Sequence, residues 1–188
     1  MITELGKWPW FALHTRSRHE KISAISLQQK GYEDFLPLYR SLRRWSDRRK
    51  EVELPLFPGY VFCRLDPLNR MPILSTPGVL SIVGAGKNPV AVEEAEISAL
   101  QAMVRSGLDA QPWPFLQAGQ RVQIEAGPLE GVEGILLSVK NSSRLILSVS
   151  LLQRSVAVEI DRCSVRPLSR RPPSSAERLS PAAARIYA

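Results

Sequence analysis

The side chains most often used for catalysis or metal binding are few in this chain and lie far apart. It contains two histidines, His14 and His19, and two cysteines, Cys63 and Cys163. Metal sites built from cysteine and histidine need ligands at short spacings, which this pattern lacks. The chain also has no Gly-x-Ser-x-Gly nucleophile motif and no phosphate-binding loop. The sequence therefore predicts a protein without enzymatic activity, without a metal and without a cofactor.

The two cysteines and the N-terminus indicate the compartment in which the protein works. Residues 1–7 are too polar for the apolar core of a signal peptide, and no run of about 18 apolar residues predicts a membrane span. We therefore expect a cytoplasmic protein whose lone cysteines are buried free thiols. A disulfide between Cys63 and Cys163 remains the alternative.

A first cluster of basic residues stands at the predicted start of a helix. Ser17 and Glu20 have the spacing of a capping box, so the helix is expected to begin at Ser17. The candidate nucleic-acid contacts beside it are Arg16, Arg18, His19 and Lys21. Arginines at a helix N-terminus favour phosphate, and a histidine can stack on a base. The alternative is a helix start that is only solvated.

A second basic cluster lies at residues 40–50, which hold six basic residues and one acidic residue. The whole chain has a formal net charge of +7 and a pI of about 9.8, which favours acidic partners such as nucleic acid. Arginines interleaved with Trp45 suit phosphate contacts combined with base stacking. The predicted contacts are Arg43, Arg44, Arg48 and Arg49. A solvated loop is the alternative.

An aromatic stretch at residues 55–63, Pro-Leu-Phe-Pro-Gly-Tyr-Val-Phe-Cys, predicts a turn that leads into a strand. Pro55 and Pro58 lack backbone donors, so the residues before Gly59 cannot lie in the middle of a sheet. The residues that follow are good strand formers. Phe57 and Tyr60 then form an aromatic patch at a sheet edge. This patch is either core or an exposed docking site.

The elements that position these clusters alternate between strands and helices. A first strand is predicted from Trp8 to His14, followed by a helix to about Lys30 with Ile22, Ile25 and Leu27 as its apolar stripe. Further strands are predicted at residues 32–39, 51–54, 59–65 and 76–84, a short helix at 67–75, an extended segment at 87–92 and a helix at 93–105. In that last helix Ile97, Leu100 and Val104 share one face. This order indicates an α+β sandwich.

The second half of the chain carries a different pattern. Residues 107–115 lack periodicity and contain two prolines, which is typical of a linker between domains. Short strands are then predicted at residues 120–126, 133–140, 144–151 and 155–160, with a possible fifth at 164–166, which fits a small barrel. From Ser169 onward four arginines accompany one glutamate, which predicts a basic, flexible tail with a short helix at 182–187.

Two of these stretches resemble known sequence motifs. Residues 8–21, together with Leu-Phe-Pro-Gly-Tyr-Val at 56–61, resemble the N-terminal (NGN) domain of NusG-type transcription elongation factors. Residues 119–135 resemble the KOW motif that follows it in that family. The sequences of residues 16–21 and 43–48 resemble specialised NusG paralogues, of the RfaH or polysaccharide-operon regulator type, more than the housekeeping protein.

The resemblance implies both a fold class and a domain order. The fold class is α+β, with an NGN-like α/β sandwich (an antiparallel sheet with helices) followed by a small C-terminal KOW/SH3-like β-barrel. The implied domains are 1–106 for the polymerase-binding NGN domain, 107–115 for the linker, 116–168 for the KOW barrel and 169–188 for the tail. The short linker does not indicate that one domain hides the other.

The resemblance also implies partners and binding residues. In this family the NGN domain grips the clamp helices of the largest RNA polymerase subunit, bridges the DNA cleft and suppresses pausing or termination. The matching positions are Trp10, Phe57, Pro58, Gly59 and Tyr60. Non-template or upstream DNA is the implied nucleic acid, although Gly84 stands where RfaH carries a basic residue. The segment 69–72 is expected near the opposite wall of the cleft.

The KOW loop is the implied site for a second partner. Its residues are Gly127, Pro128, Leu129 and Gly131, and the implied partners are ribosomal protein S10 or Rho. A monomeric, operon-specific NusG paralogue is therefore the favoured reading of the chain. The rival is a KOW-containing ribosome- or RNA-binding module that acts in translation, which predicts a basic barrel. The nearly balanced charge of the predicted barrel argues against that rival.

Overall fold

The computed structural model describes residues 8–44, 49–113, 120–139, 142–160 and 165–168. Its N-terminal strands are β1 (Trp10–Thr15), β2 (Asp34–Phe35), β3 (Leu38–Arg44), β4 (Arg49–Pro55), β5 (Tyr60–Arg64), β6 (Val79–Ile82), β7 (Gly84–Ala85), β8 (Asn88–Pro89) and β9 (Ala91–Val92). The helices are α1 (Glu20–Gln29), α2 (Met71–Leu74) and α3 (Glu94–Ser106). The C-terminal elements are β10 (Ala110–Trp113), β11 (Gln120–Ile124), β12 (Glu133–Val139), β13 (Ser142–Val149), a 3₁₀ turn (Ser150–Leu152), β14 (Arg154–Ile160) and β15 (Val165–Pro167).

The N-terminal sheet is built around β1. Its strand order is β2-β5-β1-β6, and β9 also pairs with β1, all antiparallel. Trp10 lies opposite Arg64 and His14 opposite Tyr60 across the β1–β5 ladder. The alternating, fully buried side chains of β1 and β5 divide the core into two layers, one beneath α1 and one facing α3. This part of the fold agrees with the predicted α+β class and its antiparallel sheet.

Helix α1 differs from the prediction at its start and along its buried face. The helix begins after His19, and no side chain caps it, so the predicted capping box of Ser17 and Glu20 is wrong. Ile22 and Ile25, which the sequence assigned to the apolar stripe, are 51% and 54% exposed. The residues buried in α1 are Glu20, Ser23, Ala24 and Leu27.

A close approach between α1 and the 76–79 turn explains why small side chains form that face. Ser23 donates its hydroxyl to the Pro77 carbonyl at 2.9 Å. A Cβ atom at Gly78, where φ is +85°, would lie only 2.5 Å from the Ser23 hydroxyl. The backbone of the turn therefore occupies the space that a larger helix side chain would need. The large residues Ile22 and Ile25 face outward for this reason.

The strand predicted at 32–39 and the basic loop predicted at 40–50 are both replaced by other structure. Pro37 interrupts the strand, because it cannot donate a ladder hydrogen bond, and leaves the short β2 and the longer β3. Strands β3 and β4 form a separate two-stranded hairpin that covers most of the predicted loop. Residues 45–48 lie outside the described part of the chain. The basic residues near 40–50 are therefore carried by an arm rather than a loop.

The C-terminal strands form a six-stranded antiparallel sheet in the order β10-β14-β13-β12-β11-β15. The strands β11 to β15 lie where the sequence predicts them. Strand β10 differs from the predicted structureless linker, because Ala110 to Trp113 pair with Val158 to Ser155. Pro112 is tolerated there because β10 lies at the edge of the sheet. The N-terminal and C-terminal parts are therefore joined directly by α3, Gly107 and a sheet strand.

Helix α3 connects the two halves of the molecule. It ends at Gly107, which adopts the left-handed conformation with φ of +70°. Its buried residues are Ile97, Leu100 and Met103, whereas Val104, assigned to the same face from the sequence, is exposed. The helix contacts β13 of the C-terminal sheet, and one hydrophobic cluster contains residues from both halves. The described chain therefore holds the two sheets together in one packed arrangement.

The structure bears on the predictions for the cysteines, for membrane spans and for metal sites. Cys63 is a buried free thiol on β5, and burial together with Asp34 and Glu33 raises its pKa to about 12. Cys163 lies outside the described residues. Among the helices of the described ranges, none is long and apolar enough to cross a membrane. Within the same ranges, no group of three or more histidine, cysteine, aspartate or glutamate residues could hold a metal ion.

Candidate functional site

The proline turn, residues Phe57–Tyr60, links the basic hairpin to the central sheet. Phe57 is only 1% exposed and packs edge-on against Phe62, with ring centroids 5.6 Å apart. Pro58 is exposed, and Gly59 reverses the chain with φ of +84°. The Tyr60 amide then donates to the Phe57 carbonyl at 3.0 Å and closes the turn. The turn thus places Phe57 in the core and Pro58 at the surface.

Trp10 is a core residue beside this turn. It is 1% exposed, and the Arg64 guanidinium lies over its ring at 4.7 Å. Arg64 also donates to the Trp8 carbonyl at 2.8 Å and to a Glu94 carboxylate oxygen at 2.6 Å. Arg64 therefore joins β5, the first strand and α3. Of the predicted polymerase contacts, Trp10 and Phe57 lie in the interior, while Pro58, Gly59 and Tyr60 lie at or near the surface.

Tyr60 is half-buried between two parts of the chain. Its ring lies 5.5 Å from that of His14 on one side. On the other side Arg154, from the start of β14, places its guanidinium 5.1 Å from the ring centroid. An arginine over an aromatic ring is attracted by the electron density of the ring face. The C-terminal sheet therefore contacts the surface that the sequence predicts for polymerase docking.

The arginine loop, residues Arg16–His19, lies directly beside the proline turn. The Thr15 amide donates to the Gly59 carbonyl at 2.8 Å, and the Arg16 amide donates to the Gly78 carbonyl at 2.8 Å. Arg18 adopts a left-handed conformation with φ of +64°. The side chains of Arg16 and Arg18 are exposed, and His19 is half-buried with Nδ1 3.1 Å from the Ser17 carbonyl oxygen.

Lys21 differs from the other predicted nucleic-acid contacts near α1. Its ammonium lies 3.1 Å from a carboxylate oxygen of Glu53 on β4. Both side chains are about half exposed, so water weakens the pair, but the carboxylate still offsets part of the lysine charge. Arg16 and Arg18 form no ion pair with any residue in the described ranges.

The basic hairpin, β3 with β4, changes in charge along its length. Near its base Arg40 lies 3.7 Å from Glu51, and Glu53 accepts from Lys21. Farther out the backbone register pairs Arg43 with Lys50 and Arg44 with Arg49. Like charges directly opposite each other in an antiparallel ladder are unfavourable. Arg48, the fourth predicted contact, and Trp45 belong to residues 45–48, outside the described chain. Among the described residues of the hairpin, the charged ones farthest from its base are thus all basic: Arg43, Arg44, Arg49 and Lys50.

The loop predicted to bind a second partner lies between β11 and β12. Gly127 and Gly131 have φ of +94° and +82°, and the Gly131 amide donates to the Ile124 carbonyl at 2.8 Å. Leu129 is 2% exposed and belongs to the core of the C-terminal sheet. Pro128 and Glu130 are exposed. The loop therefore exposes Pro128, its glycines and Glu130, and Leu129 holds it in place.

A cleft of about 930 Å³ separates α3 from the C-terminal sheet. Ala95 and Ala99 line its α3 side, and Ile135 and Ile146 lie on the opposite side. Next to it, the Ser150 amide donates to a Glu96 carboxylate oxygen at 3.1 Å. This hydrogen bond and the Arg154–Tyr60 contact connect the two halves at separate points.

Sequence reasoning missed the residues that hold this site together. Glu20, assigned to a capping box, is 6% exposed and accepts the Gly59 amide at 2.8 Å. Arg64, Glu96 and Arg154 act across elements that are distant in sequence. No local pattern signals such contacts, because each depends on the tertiary packing of two elements. The only available signal was Glu20 itself, an acidic residue in the first turn of a helix.

Comparisons with known proteins point to one family. The profile described as "Transcription termination factor nusG" matches residues 9–101. The transcription termination/antitermination protein NusG of Thermus thermophilus is 26% identical over 174 residues, covering 81% of this chain and 94% of that protein. NusG of Escherichia coli K12 is 25% identical over 174 residues, covering 85% of this chain and 96% of that protein.

A solved structure agrees with the fold. The structure of Thermotoga maritima NusG aligns with a TM-score of 0.50 at 19% identity, covering 87% of this chain and 98% of the other. An antiparallel α+β domain followed by an antiparallel sheet, with sequence relatives matched over most of both chains, defines a transcription termination/antitermination factor. The chain is a NusG-type protein, and the family resemblance of its sequence is confirmed. These relatives are transcription factors, which is consistent with the prediction that the chain is not an enzyme.

Proposed function

We propose that the chain binds RNA polymerase through the proline turn and suppresses pausing or termination during elongation. In this proposal Pro58, Gly59 and Tyr60 contact the clamp helices of the largest polymerase subunit, and Trp10 and Phe57 support the turn from the core. The NGN domain of a monomer then bridges the DNA cleft. The basic hairpin and the resemblance of residues 16–21 to specialised paralogues favour an operon-specific paralogue of NusG.

One observation supports this proposal above the others: the proline turn and the arginine loop are adjacent. A backbone hydrogen bond of 2.8 Å from Thr15 to Gly59 joins them, and His14 lies against Tyr60. A factor that bridges polymerase and its DNA needs an aromatic anchor beside a cationic surface. Arg16 and Arg18 are exposed and follow closely after Thr15, the residue that bonds to Gly59. They are the residues that we propose for the non-template or upstream strand.

The basic hairpin extends this cationic surface. Its outer register pairs, Arg43 with Lys50 and Arg44 with Arg49, repel each other unless an anion lies nearby. A nucleic-acid backbone supplies such anions along its whole length. We therefore assign the hairpin to upstream DNA. Lys21 is assigned a weaker role because Glu53 already pairs with it.

The C-terminal domain recruits a second partner in this proposal, with ribosomal protein S10 or Rho as the candidates. The exposed residues of the loop between β11 and β12, Pro128 and Glu130, are the proposed contacts. Because Arg154 lies over Tyr60, docking at the proline turn requires the C-terminal sheet to move away from that ring. In this proposal the polymerase and the second partner therefore both bind the open form of the chain, in which the C-terminal sheet has moved away from Tyr60.

The test is the affinity of the purified full-length chain for bacterial RNA polymerase core enzyme, measured by biolayer interferometry. We expect Tyr60→Ala to weaken binding at least tenfold, because aromatic anchors at the centre of an interface dominate its energy. Removing the ring also frees Arg154, which favours the open chain, so a net loss of binding reports the docking contact. Val104→Ala, an exposed apolar residue on α3, is the matched control.

Circular dichroism and thermal melting establish that both variants are folded. If Tyr60→Ala binds polymerase as tightly as the wild type, the proposed docking site is wrong. If the wild-type chain binds ribosomes and not polymerase, the translation module replaces the elongation factor as the better proposal.

A further inference from the structure

Glu20 is a buried carboxylate that the proposed function does not use. It is 6% exposed and stands at the first position of α1, immediately after the arginine loop. Its Oε1 atom accepts the Gly59 amide at 2.8 Å. A charged acceptor makes a hydrogen bond stronger than a neutral pair, and a buried carboxylate is costly without such partners. The contact spans 39 residues of sequence, so it is a tertiary contact.

The hydrogen bond from Gly59 to Glu20 acts at the residue that reverses the chain in the proline turn. Gly59 has φ of +84°, a left-handed conformation that glycine adopts readily. Because glycine is also free to adopt many other conformations, its surroundings must hold it in this one. The Gly59 carbonyl is fixed by the Thr15 amide at 2.8 Å, and its amide is fixed by Glu20. Both peptide groups of Gly59 are therefore anchored, one to β1 and one to α1.

Fixing Gly59 determines where its neighbours stand. Pro58 precedes it and is exposed, and Tyr60 follows it and begins β5. Without the carboxylate, the Gly59 peptide can rotate, and Pro58 and Tyr60 then lose their fixed spacing. Pre-organised contact residues bind more tightly because less conformational freedom is lost on association.

We infer that Glu20 is a positioning residue for polymerase docking, acting through the Gly59 amide. This inference rests on the proposed function of the proline turn. Glu20 itself need not touch the polymerase, because its carboxylate is buried beneath the turn.

The chain offers a matched set of variants. Glu20→Ala removes the acceptor, whereas Glu20→Gln keeps an oxygen that can accept the Gly59 amide. Ser23→Ala is the structural control: Ser23 is buried on the same helix and donates one hydrogen bond, to the Pro77 carbonyl at 2.9 Å, away from the proline turn. Comparing Glu20→Ala with Ser23→Ala separates loss of helix anchoring from loss of turn geometry.

Two readouts are measured on the full-length chain. Hydrogen exchange by nuclear magnetic resonance reports the Gly59 amide directly, and interferometry reports affinity for RNA polymerase core enzyme. We expect Glu20→Ala to lower protection of the Gly59 amide at least tenfold and to weaken polymerase binding about five- to tenfold, as the loss of one charge-assisted hydrogen bond allows. Glu20→Gln should stay within about threefold of the wild type in both, and Ser23→Ala should leave both unchanged.

The outcomes separate this inference from the proposed function. If Tyr60→Ala weakens polymerase binding and Glu20→Ala does not, the positioning role is wrong and the docking site stands. If Glu20→Ala and Ser23→Ala weaken binding equally, Glu20 acts only through stability and the inference is overturned. If neither Tyr60→Ala nor Glu20→Ala affects binding, the proposed function fails and the inference falls with it. If Glu20→Ala does not fold, Glu20→Leu, which also removes the acceptor but fills the buried site, is measured in its place: reduced polymerase affinity with an exposed Gly59 amide supports the role, and values equal to those of the wild type contradict it.

Discussion

The cations near the start of α1 differ in whether a carboxylate already offsets their charge. Lys21 lies 3.1 Å from Glu53, whereas Arg16 and Arg18 are exposed and form no ion pair within the described ranges. Binding to a nucleic acid gains most from charges that lose no existing partner. At the scale of single residues, the structure therefore ranks three neighbouring basic side chains that the sequence could not distinguish.

This ranking gives a prediction for DNA binding. Arg16→Ala and Arg18→Ala should each weaken binding of single-stranded DNA several-fold and reduce the slope of log affinity against log salt by about 0.7, the value for one lost phosphate contact. Lys21→Ala should have a smaller effect, because Glu53 already offsets part of the charge of Lys21 and the loop keeps its two arginines. Fluorescence anisotropy of a labelled oligonucleotide at several salt concentrations measures both quantities. Equal effects of all three substitutions would contradict the ranking.

Cys63 supplies a second residue-scale prediction, from its pKa. The pKa of the thiol is raised to about 12 by burial and by the neighbouring Asp34 and Glu33, so almost no thiolate exists at pH 8 in the folded chain. In a Cys163→Ser variant, we expect the thiol to react with Ellman's reagent only as fast as the chain unfolds. Because the pKa of the thiol in the folded chain lies above its ordinary value of 9.0, this group's contribution to stability is present below about pH 9 and is lost as the pH rises toward 12. Rapid labelling of the native chain would show that Cys63 is accessible.

Among the elements, the basic hairpin of β3 and β4 has ion pairs of opposite charge near its base, whereas farther out its two strands place like charges opposite each other. Arg40 with Glu51 and Lys21 with Glu53 are attractive pairs, but the register places Arg44 opposite Arg49. A strand pair chosen for stability alone would alternate charges along its whole length. The register of the outer hairpin is therefore unfavourable for stability, and the proposed contact with DNA gives a reason for it.

Reversing one charge in the outer hairpin should separate stability from binding. Arg44→Glu creates an opposite-charge register pair with Arg49, so we expect the free energy of unfolding to rise by about 0.2–1 kcal/mol. The same change should weaken duplex DNA binding several-fold, because it removes one cation and adds an anion. Arg40→Glu at the hairpin base is the control, and it should lower stability by breaking the pair with Glu51 while changing DNA affinity less. An Arg44→Glu variant that binds DNA as well as the wild type would remove the hairpin from the nucleic-acid surface.

The elements also show how far sequence reasoning reaches. Strands β1, β5 and β11 to β15 and helices α1 and α3 were predictable, because each has a clear apolar period or strong turn signals at its ends. The division at Pro37, the hairpin and β10 were not, because they depend on pairing with partners that the local sequence does not reveal. At the site, the proline turn was predictable from Pro58 and Gly59, but the partial burial of Tyr60 and the full burial of Phe57 follow from packing alone.

For the whole molecule, the contact between its two halves matters most. Arg154 lies over Tyr60 at the proposed docking surface, and at a separate point Glu96 of α3 accepts the Ser150 amide. The short predicted linker did not indicate that one domain hides the other, because the contact depends on tertiary packing. If polymerase binds Tyr60, the two contacts exclude each other, and the closed arrangement lowers the apparent affinity by the fraction of closed chains.

The most direct measurement is site-specific photo-crosslinking from the proline turn. A benzoylphenylalanine replaces exposed Pro58 in the full-length chain, and RNA polymerase core enzyme is added to this protein with and without Arg154→Ala. We expect crosslinks to the clamp helices of the largest subunit, with an apparent affinity about threefold higher in the Arg154→Ala background, because one cation–π contact of the closed chain is lost. The same crosslinker at exposed Ile25 on α1 serves as the positional control. Crosslinks to polymerase from position 25 but none from position 58, in either background, would contradict the assignment of the proline turn as the docking site.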